Sequence, residues 1–458
     1  MAMKSVALTF LLGAHFGSAA SDGCSNTLTT SYPAPVAARG WQYRLVANGF
    51  TKPRGIAFDQ DGGLLVIDSG VGLVHLSLKD EGSTCLSVAE KKTLVANTQL
   101  NHGIALSNDG KTVYVSSSEA VYSFAYDSKA VTLDTGSNHT IVANMSNSDH
   151  TTRTLLMSNK KSGTLVVSRG SDSNEDSDAL NKDSGHSQIR SYDLGKLGKN
   201  DTYEFLDGDV LGWGLRNSVG VAENPSTGGI WSVENSVDQL DRKGKDIHEN
   251  NPAEELNYHG GNYGYPVCYT IWSTQNFPEL GSLKVGDQFP DDSAPSTLTD
   301  QACNSQYVPA ALPLQAHAAP LDIKFTSDGS KAYVTFHGSW DSTNPVGYRV
   351  ASIDFNKDGQ PSAAKTSTDA AVDVLTNPDN SKCPKACFRP VGLAWDAKNR
   401  LFLSSDSTGE IFVLEQNGQS SGGGSSSDGG SGAGALFPKK SAAIAVGFAA
   451  VLAGMLLA

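Results

Sequence analysis

Short apolar runs recur along the chain in pairs, and each pair is separated by a turn rich in Gly, Asn or Asp. The first pair consists of Ile56-Ala-Phe58 and Leu64-Leu-Val-Ile67, with Asp61-Gly-Gly63 between them. Apolar runs of this length on either side of such a turn are typical of two strands in a β-hairpin. The sequence therefore predicts a β-hairpin that recurs along the chain.

Six copies of this hairpin follow one another, beginning at Pro53, Asn101, Thr152, Leu215, Ala316 and Phe388. A propeller blade takes about 40 to 50 residues, and the copies are spaced at roughly that length or with insertions. The sequence therefore predicts an all-β fold, a six-bladed β-propeller. The longest insertion is expected between the fourth and fifth hairpins, at residues 242–312. Two packed β-sandwiches are the structural alternative, but they would not require the same hairpin in every copy.

Composition narrows the class of protein further. The chain has 458 residues and a formal net charge of −13, from 35 Lys and Arg against 48 Asp and Glu. Proteins that bind nucleic acid usually carry a basic surface, so nucleic acid is not an expected partner. Charged residues make up 18% of the chain, below the roughly 25% of an average domain, which argues against a coiled coil or a disordered chain.

The two ends of the chain have the features of targeting segments. Residues 1–20 contain Lys4, an apolar run and small residues before a cleavage position, as a secretory signal peptide does. Residues 21–417 are then the propeller domain, and residues 418–434 are a Ser- and Gly-rich linker with the attachment site of a GPI anchor. Residues 435–458 end in the apolar tail that signals this attachment, for which a single membrane-spanning helix is the alternative. We expect an extracellular protein tethered to the plasma membrane at the cell surface.

Secretion would oxidise the six cysteines. Six cysteines permit 15 pairings, and the simplest local set is Cys24–Cys85, Cys268–Cys303 and Cys383–Cys387. Three sequons lie in polar, turn-like segments and are expected to carry N-linked glycans, at Asn138, Asn144 and Asn200.

A cationic residue or a histidine stands near the start of each hairpin: Arg54, His102, Arg153, Arg216, His317 and Arg389. Equivalent positions on the inner strands of a propeller lie on a ring around the central channel. Like charges gathered at one mouth of this channel repel one another unless an anion compensates them. The alternative is that each cation pairs with a nearby carboxylate and only holds a strand end. Because the position recurs in every hairpin, we favour a binding site for a polyanionic ligand.

Four further motifs stand in order around the hairpins: Gly214-Leu-Arg-Asn-Ser-Val-Gly220, Gly260-Gly-Asn-Tyr-Gly-Tyr-Pro266, Phe336-His-Gly-Ser-Trp340 and Pro345-Val-Gly-Tyr348. With these motifs the chain resembles the glucose/sorbosone dehydrogenase family, and in particular the fungal pyranose dehydrogenases that depend on pyrroloquinoline quinone (PQQ). The resemblance extends over Tyr43–Gln416. It implies a six-bladed propeller that holds PQQ and a calcium ion over its channel. PQQ carries three carboxylates, which agrees with a ring of cations.

The resemblance also implies roles for single residues. His102 matches the catalytic base of the family, Asn174 matches a polar ligand of the cofactor, and Asn235 would touch the quinone. The backbone carbonyls of Ser236 and Val237 would bind calcium, a hard cation that prefers oxygen ligands. Three arginines would pair with the carboxylates of PQQ: Arg54, Arg216 and Arg389.

At one position the chain departs from the family pattern. An arginine usually follows the Trp340 motif, but this chain has Asp341-Ser342 there. Arg349 is expected to supply the missing cation, and the alternative is that no residue replaces it. His337, inside the same motif, is a second candidate for the base.

The function implied by the resemblance is oxidation of the C1 hydroxyl or aldehyde hydrate of a pyranose or osone sugar, with PQQ as the hydride acceptor. A neutral histidine would take the hydroxyl proton. A cytochrome or a copper enzyme is expected as the external electron acceptor, and the protein is expected to be a monomer. There are two alternatives: a calcium-dependent lactonase on a similar propeller, and an inactive propeller that binds glycans or anions at the cell surface.

Overall fold

Each predicted hairpin forms the first two strands of a separate β-sheet, and the six sheets are the blades of a β-propeller. The computed structural model describes residues 23–417. The predicted signal peptide, Ser/Gly-rich linker and GPI tail lie outside these residues. The predicted all-β fold is confirmed.

The first three blades have these strands in chain order. Blade 1 contains Pro53–Phe58, Leu64–Asp68, Gly72–Asp80 and Leu86–Ala96. Blade 2 contains Ile104–Leu106, Thr112–Ser116, Val121–Asp127 and Thr132–Ala143, with Tyr203–Glu204 added in parallel at its edge. Blade 3 contains Leu155–Met157, Thr164–Arg169, Gln188–Asp193 and Asp209–Trp213.

The other three blades complete the ring. Blade 4 contains Asn217–Glu223, Ile230–Asn235, Glu254–Tyr258 and Leu312–Leu314. Blade 5 contains Pro320–Phe325, Lys331–Phe336, Arg349–Asp354 and Val372–Thr376, with Val36–Ala37 at its edge. Blade 6 contains Pro390–Trp395, Leu401–Ser405 and Glu410–Gln416.

The fourth strand of blade 6 comes from the other end of the described chain. Trp41–Ala47 pairs antiparallel with Glu410–Gln416, and Leu45 lies opposite Phe412. This pairing closes the ring, because it joins the N-terminal strand to the last sheet by backbone hydrogen bonds. Within residues 23–417 no helix is both long enough and apolar enough to cross a membrane.

Short elements connect the blades. The insertion between the hairpins of blades 4 and 5 has two small antiparallel pairs, Asp241–Arg242 with Lys245–Asp246 and Tyr269–Thr270 with Gln288–Phe289, and the helix Asp300–Gln306. This segment is not wholly an insertion, since it also supplies the third strand of blade 4. The 3-10 turns are Ser177–Leu180, Lys182–Ser184, Leu194–Lys196, Phe205–Asp207, His248–Asn250 and Asn380–Lys382.

The hydrophobic core lies between neighbouring blades. In blade 1, Leu64 and Val66 pack against blade 6, whereas Leu65 and Ile67 pack against blade 2. Successive side chains of a strand point to opposite faces of its sheet, so a strand buried on both faces is apolar at every position. This is why the second strand of blade 1 is a continuous apolar run rather than an alternating one.

The first strands of neighbouring blades approach one another closely at the centre of the ring. A side-chain carbon on a glycine there would overlap a backbone carbonyl oxygen of the next blade: Gly55 at His102, Gly103 at Arg153, and Gly392 at Arg54. Glycine is needed wherever two backbones come this close. The contacted carbonyls belong to three of the predicted ring residues, so this approach sets the positions from which those side chains leave the backbone.

The structure contains all three predicted disulfides. Cys24–Cys85 ties the segment before blade 1 to that blade, and Cys268–Cys303 joins the insertion of blade 4 to its helix. Cys383–Cys387 lies in the segment that leads into blade 6. The asparagines of the three sequons are exposed, and their glycosylation stays a prediction.

We predict that Gly55→Ala lowers the free energy of unfolding by about 1–3 kcal/mol, because the new methyl group would be forced against the carbonyl oxygen of His102. Urea unfolding of the purified domain measures the change. Gly260→Ala is the matched control, since a side-chain carbon at Gly260 would meet no atom within 4 Å. Equal stabilities for the two variants would contradict the close approach of the blades.

Candidate active site

A cavity of about 310 Å³ opens at the centre of the propeller, where the first strands begin. Four of the six predicted ring residues line it, and they come from blades 1, 4, 5 and 6: Arg54, Arg216, His317 and Arg389. Asn235, Ser236 and His337 line it as well. The repeated position therefore does bring cations from different blades to one site.

The structure does not bring His102 and Arg153 to the lining of this cavity. Arg153 is fully buried, and its guanidinium donates hydrogen bonds to the carbonyls of His150 (2.7 Å), Thr152 (2.8 Å) and Met145. It braces the chain before blade 3. His102 is 4% exposed, and its Nδ1 has no hydrogen-bond partner within the described residues. Burial lowers the pKa of His102 well below its usual value, and the charge of Arg54 adds to this.

The cations of the cavity have partners within the protein. Arg54 forms an ion pair with Asp406 at 2.7 Å, and Arg216 forms one with Asp238 at 2.9 Å. Arg389 instead donates to the carbonyls of His337 and Gly338, both at 3.0 Å. The alternative in which cations pair with local carboxylates therefore holds for two of these arginines, and the cavity is not a purely cationic ring.

Four carboxylates that sequence reasoning missed share the cavity: Asp149, Asp238, Glu254 and Asp341. Burial raises the pKa of Glu254 to about 8, although the backbone N–H groups of Ser236 and Ala319 donate to its carboxylate and oppose this. Burial also raises the pKa of Asp238, against the lowering effect of Arg216. Asp341 stands where the family pattern has an arginine. This departure in the sequence could have indicated an acidic group at the cavity.

Asn174 positions Arg216 rather than lining the cavity. Its Oδ1 accepts from Nη2 of Arg216 at 2.7 Å and from the backbone N–H of Asp238 at 3.0 Å. Asn235 lines the cavity, and its Nδ2 donates to the carbonyl of Pro320 at 2.8 Å. Arg216 also donates to the backbone carbonyl of Asn235 at 3.4 Å, so both predicted amide residues contact this arginine.

The two predicted calcium ligands differ in their surroundings. The carbonyl of Ser236 accepts a hydrogen bond from Nη1 of Arg216 at 2.6 Å. The side chain of Val237 is buried in the apolar cluster of the blade 4 insertion, so only its backbone is available as a ligand. Next to them, Asp238, His317 and Asp341 each offer a ligand atom, and these atoms lie within 4.8 Å of one another. Carboxylate and carbonyl oxygens suit calcium.

The structure does not bring Arg349 to the cavity. Its guanidinium forms an ion pair with Asp373 and lies 4.9 Å from the ring centre of Phe336. Arg349 begins the third strand of blade 5, one strand farther from the centre than the residues that line the cavity. The expected substitute for the missing family cation is therefore outside the site.

Three histidines line the cavity, and two of them, His317 and His337, are predicted from the sequence. The third, His150, precedes blade 3. Its Nδ1 lies 3.1 Å from the carbonyl oxygen of Ser171 and 2.9 Å from Oγ of that residue. A carbonyl oxygen only accepts, so Nδ1 carries the hydrogen and Nε2 is left as an acceptor. Burial and the charge of Arg216 lower the pKa of His150 to about 4, so the ring is neutral at neutral pH.

The two sequence motifs of blade 5, residues 336–340 and 345–348, pack against each other. Gly338 has φ +99°, a conformation that favours glycine, and a side-chain carbon there would overlap the ring of Tyr348. The hydroxyl of Tyr348 donates to the carbonyl of Ser339, and the Arg389 guanidinium lies 5.5 Å from the ring centre of Tyr348. This packing holds His337 at the cavity and leaves Trp340, 70% exposed, at its rim.

The family model described as TrAA12-like matches residues 35–417. A pyrroloquinoline quinone-dependent sugar dehydrogenase of Hypocrea jecorina (strain QM6a) is 53% identical over 419 residues, which cover 89% of this chain and 96% of the relative. The chain belongs to the TrAA12-like family. The resemblance drawn from the motifs is thereby confirmed.

Solved structures extend the comparison for this family member. The calcium structure of Trichoderma reesei Carbohydrate-Active Enzymes Family AA12 is 55% identical, with a TM-score of 0.85 over 86% of this chain and 99% of the other. The holo form of the PQQ domain of pyranose dehydrogenase from Coprinopsis cinerea is 36% identical, with a TM-score of 0.79 over 84% and 98%. The curated pyranose dehydrogenase of that fungus matches over 83% of this chain and 54% of its own length, so the family member spans about half of it.

We predict that Arg153→Met lowers the free energy of unfolding by about 3 kcal/mol, because it removes charge-assisted hydrogen bonds to three buried carbonyls. Thermal and urea unfolding measure this. Arg349→Met is the control and should cost less than about 1 kcal/mol, since it removes an ion pair to a half-exposed carboxylate. A larger loss for Arg349→Met would contradict the assignment of Arg153 as the structural brace.

Proposed function

We propose that this family member is a PQQ-dependent sugar dehydrogenase that oxidises the C1 hydroxyl, or an aldehyde hydrate, of a pyranose or osone sugar. The single observation that carries the proposal is the cavity, in which three guanidinium groups and three histidines from different blades face one space. The names of the relatives, which refer to PQQ and to sugar or pyranose, support the cofactor and the substrate class.

The residues of the cavity fit a cofactor with carboxylate groups. Arg54 donates one hydrogen bond, from Nη1 to the carboxylate of Asp406. Arg389 donates from Nε and Nη2 to the backbone carbonyls of His337 and Gly338. Within residues 23–417, the other guanidinium N–H groups of these two arginines make no hydrogen bond. They would hold PQQ carboxylates, where charge-assisted pairs are strong. Arg216 is already engaged with Asn174, Ser236 and Asp238, so it would act mainly through its charge.

The acidic side of the cavity supports calcium as a second component. Carboxylates of PQQ would be repelled by Asp238 and Asp341 unless a cation stood between them. The carbonyls of Ser236 and Val237 remain the proposed calcium ligands, with Asp238 as a third donor. For calcium to reach the Ser236 carbonyl, Arg216 would have to release it and turn to the cofactor.

When bound, PQQ supplies a quinone that accepts two electrons as a hydride. The protein supplies orientation and the acceptor for the proton. His150 is held with Nε2 unprotonated, and Arg216 beside it favours the neutral ring. We propose that Nε2 of His150 takes the proton of the C1 hydroxyl, in place of the predicted His102, whose ring does not line the cavity. The exposed ring of Trp340 offers an apolar face for the pyranose at the rim.

We predict that the cofactor-free domain binds PQQ only weakly in EDTA, and at least about tenfold more tightly with Ca²⁺, because the cation offsets carboxylate repulsion. Titration followed by the PQQ absorption spectrum measures this. Arg389→Gln should weaken binding about ten- to one-hundredfold through the loss of a charge-assisted hydrogen bond. Arg349→Gln is the control and should bind as the wild type does. The absence of any calcium dependence would refute the calcium proposal.

We predict that His150→Gln lowers kcat for dye reduction with aldoses by about 10²–10⁴-fold, while PQQ affinity changes less than about threefold, because a general base contributes on this scale. Stopped-flow reduction of the loaded protein separates the two quantities. Should His102→Gln abolish turnover while His150→Gln retains it, His102 is the base after all.

The same assays separate the alternatives. Saturable PQQ binding without reduction by any sugar would favour the inactive binding module. Calcium-dependent hydrolysis of a lactone, without any PQQ effect, would favour the lactonase. The carboxylates that share the cavity with the arginines make this second test worthwhile.

We also propose that the protein is secreted, N-glycosylated and held at the cell surface by a GPI anchor, as a monomer that passes electrons to an external cytochrome or copper enzyme. The three disulfides and the exposed sequon asparagines, Asn138, Asn144 and Asn200, support an oxidising extracellular setting. Release of the protein from cells by a GPI-specific phospholipase tests the anchor.

A further inference from the structure

One carboxylate beside the cavity, that of Asp406, has no role in the chemistry proposed above. Asp406 follows the second strand of blade 6 and is not among the residues that line the cavity. Its Oδ1 accepts from Nε2 of His337 at 2.7 Å, and its Oδ2 accepts from Nη1 of Arg54 at 2.7 Å. The side chain is only 12% exposed. Asp406 therefore joins blades 5, 6 and 1 through one carboxylate with both oxygens engaged.

This arrangement decides which nitrogen of His337 carries a hydrogen. Burial would raise the pKa of Asp406, but His337 and Arg54 outweigh it and hold the pKa well below its usual range. For His337, burial lowers the pKa, Arg389 and Arg54 lower it further, and Asp406 opposes them. An ionised carboxylate can only accept, so Nε2 of the neutral ring must be the protonated nitrogen.

Nδ1 of His337 is then an acceptor that the protein leaves unused. It makes no hydrogen bond within residues 23–417, and the side chain keeps 17% of its surface exposed at the cavity. The charged groups around this ring are Arg54, Arg389 and Asp406. Two of them, Arg54 and Asp406, also act on the pKa of His102. Nδ1 is therefore a neutral acceptor in the part of the cavity that also holds the guanidinium donors of Arg54 and Arg389.

We propose that Asp406 is a positioning residue that holds His337 in the Nε2–H form, so that Nδ1 accepts a hydrogen bond from a hydroxyl of the bound sugar. The carboxylates of the cofactor cannot be this partner, because an ionised carboxylate does not donate. A sugar hydroxyl does donate. The inference rests on the proposed function, and it assigns His337 to recognition of a substrate hydroxyl rather than to proton abstraction.

The first test measures the tautomer in the cofactor-free protein. Long-range ¹H–¹⁵N spectra of ¹⁵N-labelled imidazoles distinguish Nδ1 from Nε2, and His337→Gln identifies the signals of His337 by their loss. We expect the Nε2–H form in the wild type. Asp406→Asn keeps the size of the side chain but can donate to Nε2, so we expect it to populate the Nδ1–H form. An Nδ1–H form in the wild type would overturn the proposal.

The second test is kinetic and uses sugars that each lack one hydroxyl. With Asp406→Asn we expect KM for the full sugar to rise about tenfold, because the loss of one hydrogen bond weakens binding by about this factor. We expect kcat to change less than about threefold. One deoxy sugar should have the same KM with the variant and the wild type, because it lacks the hydroxyl that Nδ1 binds. Asp373→Asn is the matched control, since Asp373 pairs with Arg349 away from the cavity, and it should change neither quantity.

The outcomes separate this inference from the proposed function. A loss of PQQ affinity in Asp406→Asn with KM unchanged would mean that Asp406 acts through Arg54, which overturns the proposal. If the wild type oxidises no sugar, the proposed function fails, and a shift of the His337 Nδ1 signal on addition of sugar then supports the recognition role, whereas no shift overturns it. If Asp406→Asn does not fold, the deoxy series with His337→Gln decides: retained discrimination among the sugars overturns the proposal.

Discussion

The close approach of the first strands at the centre of the ring is the constraint on which the rest of the structure depends. Gly55, Gly103 and Gly392 allow each backbone to touch a carbonyl of the following blade. Hydroxyl groups of the second strands secure the same carbonyls, as Ser116 does at Arg153 and Ser404 at Arg54, both at 2.6 Å. One of these carbonyls belongs to Arg54, which lines the cavity, so the packing of blades 6 and 1 also fixes where this side chain leaves the backbone.

The cavity that results balances charge instead of concentrating one sign. Arg54 and Arg216 each face a carboxylate, Asp406 and Asp238, and Glu254 avoids its charge because burial raises its pKa to about 8. An unpaired buried charge is costly, so a ring made only of arginines would destabilise the fold. Among residues 23–417, this balance leaves guanidinium N–H groups of Arg54 and Arg389, Nε2 of His150 and Nδ1 of His337 without a hydrogen bond, and a ligand can use these atoms.

Much of this could be predicted from local pattern. The hairpins and the contribution of Arg54, Arg216, His317 and Arg389 to one cavity follow from a motif that repeats at blade spacing. The disulfides follow from the local spacing of the cysteines. The same pattern misplaced Arg153 and His102, which have equivalent sequence positions but turn into the protein, where Arg153 finds three carbonyl acceptors. It also missed His150, which stands three residues before Arg153 and reaches the cavity in its place.

The sequence by itself determined the architecture and the family, because periodic apolar runs, turn glycines and ordered motifs are local properties of the chain. Only the tertiary structure decided which polar side chains meet. Asp406 contacts Arg54 across 352 positions and His337 across 69 positions of the sequence, and Asp341 contacts Gln239 across 102. Such pairs depend on how the blades close around the axis of the propeller, and the local sequence pattern does not determine this closure. For this reason the acidic half of the site and the protonation of its histidines became visible only in the folded ring.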